Sequence, residues 1–212
     1  DFCLSRGLGD VYKRQELVRL VNPLAAARWS ADYRWDNVER ALVGLGEDYG
    51  SLELCPDFQR GHVWLPSQQA HFVENCLRGI VPSSGLLLQF NSPNFSDLAN
   101  VETDLPPGLQ CVDGLQRYTA LLGFVKGEVK PFGLSADQLK GTQFAANRFH
   151  VKVAIHGFTK RSDLLNHYLS INSGGTPHSA EELDRVRALL AETKANNLSL
   201  IHISEPTRQA EI

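Results

Sequence analysis

Leu109-Gln110-Cys111-Val112 is a short, mostly apolar run, closed on one side by Pro106-Pro107-Gly108 and on the other by Asp113-Gly114. Such a run, bounded by turn residues, reads as a buried strand. Asp-Gly then forces a sharp change of direction, because glycine takes backbone angles that other residues avoid. Thr119, Leu121, Leu122 and Phe124 follow on a pattern that suits a helix packed on a sheet. Strand, glycine turn and helix in immediate succession constrain the chain to a sheet with helices laid on it.

The same succession is a phosphate-binding geometry. Backbone N–H groups at a helix start have no partner within the helix, and the helix dipole favours negative charge there. Arg117, in the first helical turn, adds a permanently charged planar fork. A plainer reading stands beside it, in which Asp113 caps the helix and Arg117 lies on its solvent face. Local pattern alone does not choose between the two.

Asp113-Gly114-Leu115-Gln116-Arg117 resembles the Asp-Gly-Gln-Gln-Arg signature of the GmrSD-type restriction endonuclease N-terminal domain. Other blocks fit the same family in the same order. Asp57-Phe58-Gln59-Arg60, with Val63-Trp64 and Gln68-Gln69, is similar to its aromatic-Gln-Arg, Trp, Gln block. The segment from Phe72 to Pro82 resembles its next helix, and Ile171-Asn172-Ser173-Gly174-Gly175 resembles its Ile-Asn-x-Gly-Gly block. The resemblance covers 52–190. Leu115 replaces the usual second Gln and Tyr118 the usual Leu, which removes a polar contact and bears on catalysis more than on fold.

The resemblance implies an α+β fold of the ParB/sulfiredoxin-like kind, a small mixed sheet with surrounding helices. It implies nucleotide binding, with Mg2+ accompanying an NTP, and a hydrolase-like role in restriction or phage-related DNA transactions. Gly114, Leu115 and Gln116 would hold a phosphate through backbone N–H groups, with Arg117 neutralising it. Arg60, Gln59 and Asn172 would be further contacts. Asp113 would hold the metal or orient a water, and Gln116 would position that water. A catalytically inactive binding or scaffold domain keeps the same fold, and Leu115 favours it. ParB-like nuclease action is the weakest reading, because the HNH half usual in restriction proteins is not in this sequence; a partner chain or a missing downstream region would have to supply it. Compact stand-alone members occur in phage genomes, and a phage origin fits the short length.

Both ends resemble translated sequencing-adapter read-through of metagenomic fragments: Leu8 to Gln15, and Leu200 to Ile212. The chain contains no Met, so its true start is expected to lie elsewhere. The expectation is an artefactual or disordered 1–15, a single domain over 16–197, and a similar tail over 198–212.

A hydrophobic share of 42% and a charged share of 21% are ordinary for a globular protein. No apolar run approaches the roughly 18–20 residues of a membrane span, and a cytoplasmic location is expected. A net charge of −3 gives no electrostatic footprint for gripping long nucleic acid. Lys126, Lys130, Lys140, Arg148 and Lys152 read as a solvated face. Cys55, Cys76 and Cys111 show no Cys-x-x-Cys and read as reduced, buried thiols. His150 and His156 flank a strand, without metal-binding spacing.

Helices are expected over Asp36–Tyr49, capped by Asp36, over Pro66–Arg78, over Ser162–Leu169 and from Ser179 onward, where Glu182 completes a capping box. A short turn of helix follows Ser135. Strands are expected at Leu52–Leu54, Leu86–Phe90 and Arg148–Ile155, with a loop over Asn91–Pro107. Phe58 and Trp64 are read as core anchors, with base stacking the alternative.

Overall fold

The computed structural model describes residues 13–59, 61–96, 102–172 and 180–203, the side chains of 180 and 197–203 excepted. The helices are α1 (13–21), α2 (Val38–Tyr49), α3 (Pro66–Leu77), α4 (Leu115–Val125), α5 (Arg161–Asn172) and α6 (Ala180–Ile203). The strands are β1 (Trp29–Arg34), β2 (Leu52–Glu53), β3 (Leu87–Asn91), β4 (Leu109–Asp113) and β5 (His150–His156). They form one mixed sheet in the order β1-β5-β3-β4-β2. β1 runs antiparallel to β5 and β3 antiparallel to β4, whereas β3–β5 and β2–β4 are parallel. The architecture is α+β, as the sequence led us to expect.

Strand periodicity divides the core. On one sheet face Leu88, Phe90, Leu109, Cys111, Val151, Val153 and Ile155 meet Val38 and Leu42 of α2, Val73 and Leu77 of α3, and Leu121 and Phe124 of α4. Val112 turns to the other face and joins Phe58, Leu164, Leu165, Tyr168 and Val186 beneath α5 and α6. Trp35 closes the first layer, stacked on Phe149 at 4.8 Å and edge-on to Phe124 at 6.1 Å. Phe58 is buried, edge-on to Tyr168 at 5.3 Å, and is a core anchor.

β1 has no counterpart among the elements expected from the sequence. Trp29, Ala31 and Tyr33 alternate with the exposed Ser30, Asp32 and Arg34, but the partner that makes this a strand is β5, far along the chain. Asp36 is not a cap: Asn37 precedes α2, no side chain caps it, and the Asp36 carboxylate pairs with Arg34 at 3.2 Å. α3 begins as expected, with Pro66 in its first turn and Gln68 Oε1 accepting the Leu65 N–H at 2.8 Å. α5 is longer than expected, ending at Asn172. Cys76 and Cys111 are buried free thiols, each pushed up to about 12 by burial, but Cys55 is exposed. Ser179, and with it the capping box, lies outside the described residues. The backbone of α6 crosses the boundary expected at 197 and runs to Ile203.

Phe124 joins sheet, α2 and Trp35 in one layer with no exposure. Phe124→Ala should lower the unfolding free energy by about 3–5 kcal/mol, the cost of a large buried ring plus its cavity. Urea denaturation of the two proteins measures the difference.

Candidate functional site

The turn between β4 and α4 is built around Gly114. Its φ of 100° lies in the left-handed region, where a side chain is strained. Space excludes one as well: a Cβ there would come within 2.7 Å of Leu88 Cδ2 and 3.1 Å of the Leu87 carbonyl oxygen. Only glycine lets β4 turn into α4 while lying flat against β3.

The first helical bond of α4 runs from Tyr118 N to Gly114 O at 2.8 Å. The amides of Leu115, Gln116 and Arg117 precede it, and no side chain caps them. Asp113 therefore does not cap the helix. Its Oδ2 instead accepts from Arg117 Nη2 in an i,i+4 ion pair, with both side chains about a third exposed or less. The turn thus sets three helix-start amides beside a guanidinium whose direction is fixed by a carboxylate one turn back. Leu115 is buried and joins the main core, so its place in the motif is filled by packing.

Gln116 is used differently from the role the resemblance implies. Its Oε1 accepts from Val63 N at 3.0 Å and Trp64 N at 3.1 Å, and its Nε2 donates to Gly61 O at 3.0 Å. One buried amide therefore pins the backbone of 61–64 to the start of α4. Gln59 is likewise engaged: Nε2 donates to Val112 O at 3.4 Å, and Oε1 accepts from Tyr168 at 3.1 Å. Asn172 donates back to Tyr168 O at 2.8 Å, one turn earlier in α5. Arg60, Gly174 and Gly175 lie outside the described residues. The structure thus brings together Asp113, Gly114, Leu115, Gln116 and Arg117, holds Gln59 beneath them against β4, and keeps Asn172 within α5. Trp64 is half-buried, tilted against Phe72 at 5.3 Å, and packs on the main core. Lys126 pairs with Glu39 at 2.7 Å and Lys140 with Asp137 at 2.6 Å, so these two lysines are matched rather than gathered into a basic face.

A second polar cluster lies along β5. His156 and His167 are 4% and 5% exposed, their rings 4.4 Å apart. Asn91 anchors the chain beyond β5, accepting from Phe158 N at 2.8 Å and donating to Phe158 O at 3.2 Å. The Phe158 ring therefore stacks on His156 at 5.5 Å and touches His167 at 5.0 Å. His156 Nε2 meets Gln89 Oε1 at 3.1 Å, while His156 Nδ1 and both His167 nitrogens have no partner among the described residues. Burial pushes His156 down to about 4, helped by its neighbour, and lowers His167 for the same first reason. Sequence spacing singled out His156 but not His167, since α5 and β5 meet only in the fold.

Compared with protein-family models, curated proteins and solved structures, the chain matches none of them.

Gln116→Ala removes three hydrogen bonds and leaves backbone groups of 61–64 unpaired. We expect a stability loss of about 1–3 kcal/mol and faster hydrogen exchange at the Val63 and Trp64 amides, read by NMR. The histidine pair predicts a pH dependence. Both folded pKa values lie below the unfolded 6.5, so the unfolded chain takes up protons that the folded chain refuses. Unfolding free energy should fall as pH drops from 6.5 to about 4, and the contribution should level off below that. Urea titrations across this window check it, and replacing both histidines by Phe should flatten the slope.

Proposed function

We propose that the chain binds the phosphates of a nucleoside triphosphate at the β4–α4 turn. The observation that carries the reading is the left-handed Gly114, which ends a central strand and opens a helix whose first amides lie beside the Asp113–Arg117 pair. Amides and dipole attract an anion, and a guanidinium already oriented loses less entropy when it binds. The resemblance of Asp113–Arg117 and the surrounding blocks to the GmrSD-type N-terminal domain supports nucleotide over other anions. A role in restriction or phage-related DNA transactions, with a nuclease or DNA as partner, belongs to the same proposal.

Within this reading the domain is a binder before it is an enzyme. Gln116 holds 61–64 through both ends of its amide, and Gln59 bridges β4 and α5. Neither is left to position a water. Asp113 is charge-matched by Arg117, and no group of three His, Cys, Asp or Glu that could hold a metal occurs among the described residues. Mg2+ enters the proposal as the ion a triphosphate carries with it, a kind of site that takes only one or two protein carboxylates such as Asp113. Among the described residues no helix is long and apolar enough to cross a membrane.

Calorimetric titration with NTPs tests the site. Arg117→Ala should weaken binding by about 1.5–3 kcal/mol, the scale of a lost charge-assisted contact. Arg117→Lys should recover only part of it, since an ammonium cannot reproduce the planar fork. Asp113→Asn should keep the fold and most of the affinity. Phosphate-release assays should show no turnover in the wild type; turnover that Asp113→Asn abolishes would establish the hydrolase reading instead. Unchanged affinity in Arg117→Ala would return that side chain to a solvent-face role.

A further inference from the structure

β1 is an edge of the sheet, and no strand lies beyond it among the described residues. An edge strand shows a row of unpaired N–H and C=O groups, which proteins usually blunt by shortness, proline, a bulge or a repelling charge. The opposite edge, β2, is two residues long. β1 has six residues, none of them proline, and keeps unbroken register with β5 from Trp29 to Arg34. We propose that this edge pairs antiparallel with the same edge of a second copy of the chain, about a two-fold axis at Tyr33.

The phase of the hydrogen bonds fixes which residues face the second copy. Trp35 N donates to Phe149 O at 3.1 Å, in the register of the strand pairs. Alternation along an antiparallel ladder then gives Tyr33, Ala31 and Trp29 to β5 and turns the backbone groups of Ser30, Asp32 and Arg34 outward. Those three residues are exposed. Among the described residues, one backbone bond outside the ladder reaches this row, from Asn37 N to Arg34 O at 3.0 Å. It leaves that carbonyl oxygen a second lone pair.

Charge selects a second copy as the occupant and sets the register. Asp32 and Arg34 are opposite in sign and two residues apart, so they share the outer sheet face. An antiparallel pair with its axis at Tyr33 puts Asp32 across from the other copy's Arg34, and Arg34 across from the other copy's Asp32. Both fall in hydrogen-bonded pairs, with Cα atoms about 5.5 Å apart. Opposite charges placed directly across favour pairing, and like charges oppose it. An axis at Asp32 would set the two aspartates against each other, and an axis at Ala31 would set Arg34 against Arg28. The Arg34 side chain meets Asp36 through Nε at 3.2 Å, which leaves its terminal nitrogens for the second carboxylate. A six-residue edge is only about 20 Å long. It buries less than the roughly 1,200–2,000 Å2 of a standard interface, so the dimer is a weak one, with a Kd of about 10–500 µM.

Sedimentation equilibrium of the full chain, from about 5 µM to about 1 mM, tests the pairing. The mass should rise reversibly from 23.5 kDa towards twice that value. Amide hydrogen exchange, read by NMR, should slow at Asp32 and Arg34 as concentration rises, a measurement that needs no variant. Asp32→Arg sets like charges across the axis and should weaken the dimer about tenfold or more. Arg34→Asp should do the same. The double variant Asp32→Arg, Arg34→Asp restores opposite pairs and should return to within about threefold of the wild type. Both positions are exposed, and an unchanged thermal midpoint confirms the fold of each variant. A mass of 23.5 kDa at the highest concentration would overturn the inference. So would a dimer that Asp32→Arg leaves unchanged, or a double variant as weak as the single ones. Slow exchange at Asp32 and Arg34 at every concentration in a monomer would show the edge covered by the chain itself, and would overturn it too.

Discussion

Gly114 can carry no side chain, and much of the structure follows from that. At φ 100° it is the one residue that lets β4 end against β3 and α4 begin at once. With a Cβ in place, Leu88 and the Leu87 carbonyl would have to move. Leu88 stands in the same core layer as Phe90, Val153 and Phe124, so the displacement would spread through the layer that α2, α3 and α4 share. Packed interiors transmit such strain because they have few voids to absorb it.

The turn organises its surroundings through side chains that reach back rather than outward. Gln116 spends both ends of its amide on 61–64, tying the loop that follows Gln59 to the first turn of α4. Gln59 spends its own amide on β4 and on Tyr168 of α5. Asp113 and Arg117 hold each other. These side chains build a frame around three helix-start amides. Under the proposed anion-binding reading, binding would cost less because the donors are already in place.

Where local pattern decides structure, the sequence was readable. β4 and α4, the Pro66 start of α3, and the alternation of Val151, Val153 and Ile155 in β5 all follow from periodicity and turn residues within a few positions. The strand β1 did not, because Trp29–Arg34 becomes a strand only through pairing with β5. Asp36 fits a capping pattern, yet Arg34 draws its carboxylate away. The roles of Gln59 and Gln116 were invisible for the same reason: their partners lie more than 50 positions away, and no spacing rule links Gln116 to Val63. His167 acquires its meaning only where α5 crosses beside β5 and sets its ring against His156.

The central claim is that an anion sits on the α4 amides behind Gly114. Backbone 15N–1H shifts of the full chain during titration with inorganic triphosphate address it without relying on any variant. The account predicts saturable shifts largest at Leu115, Gln116 and Arg117, with a matching change at the Arg117 side-chain Nε–H. Shifts centred elsewhere, for example on Ser67 and Gln68 at the start of α3, or no saturable shift at millimolar triphosphate, would contradict it.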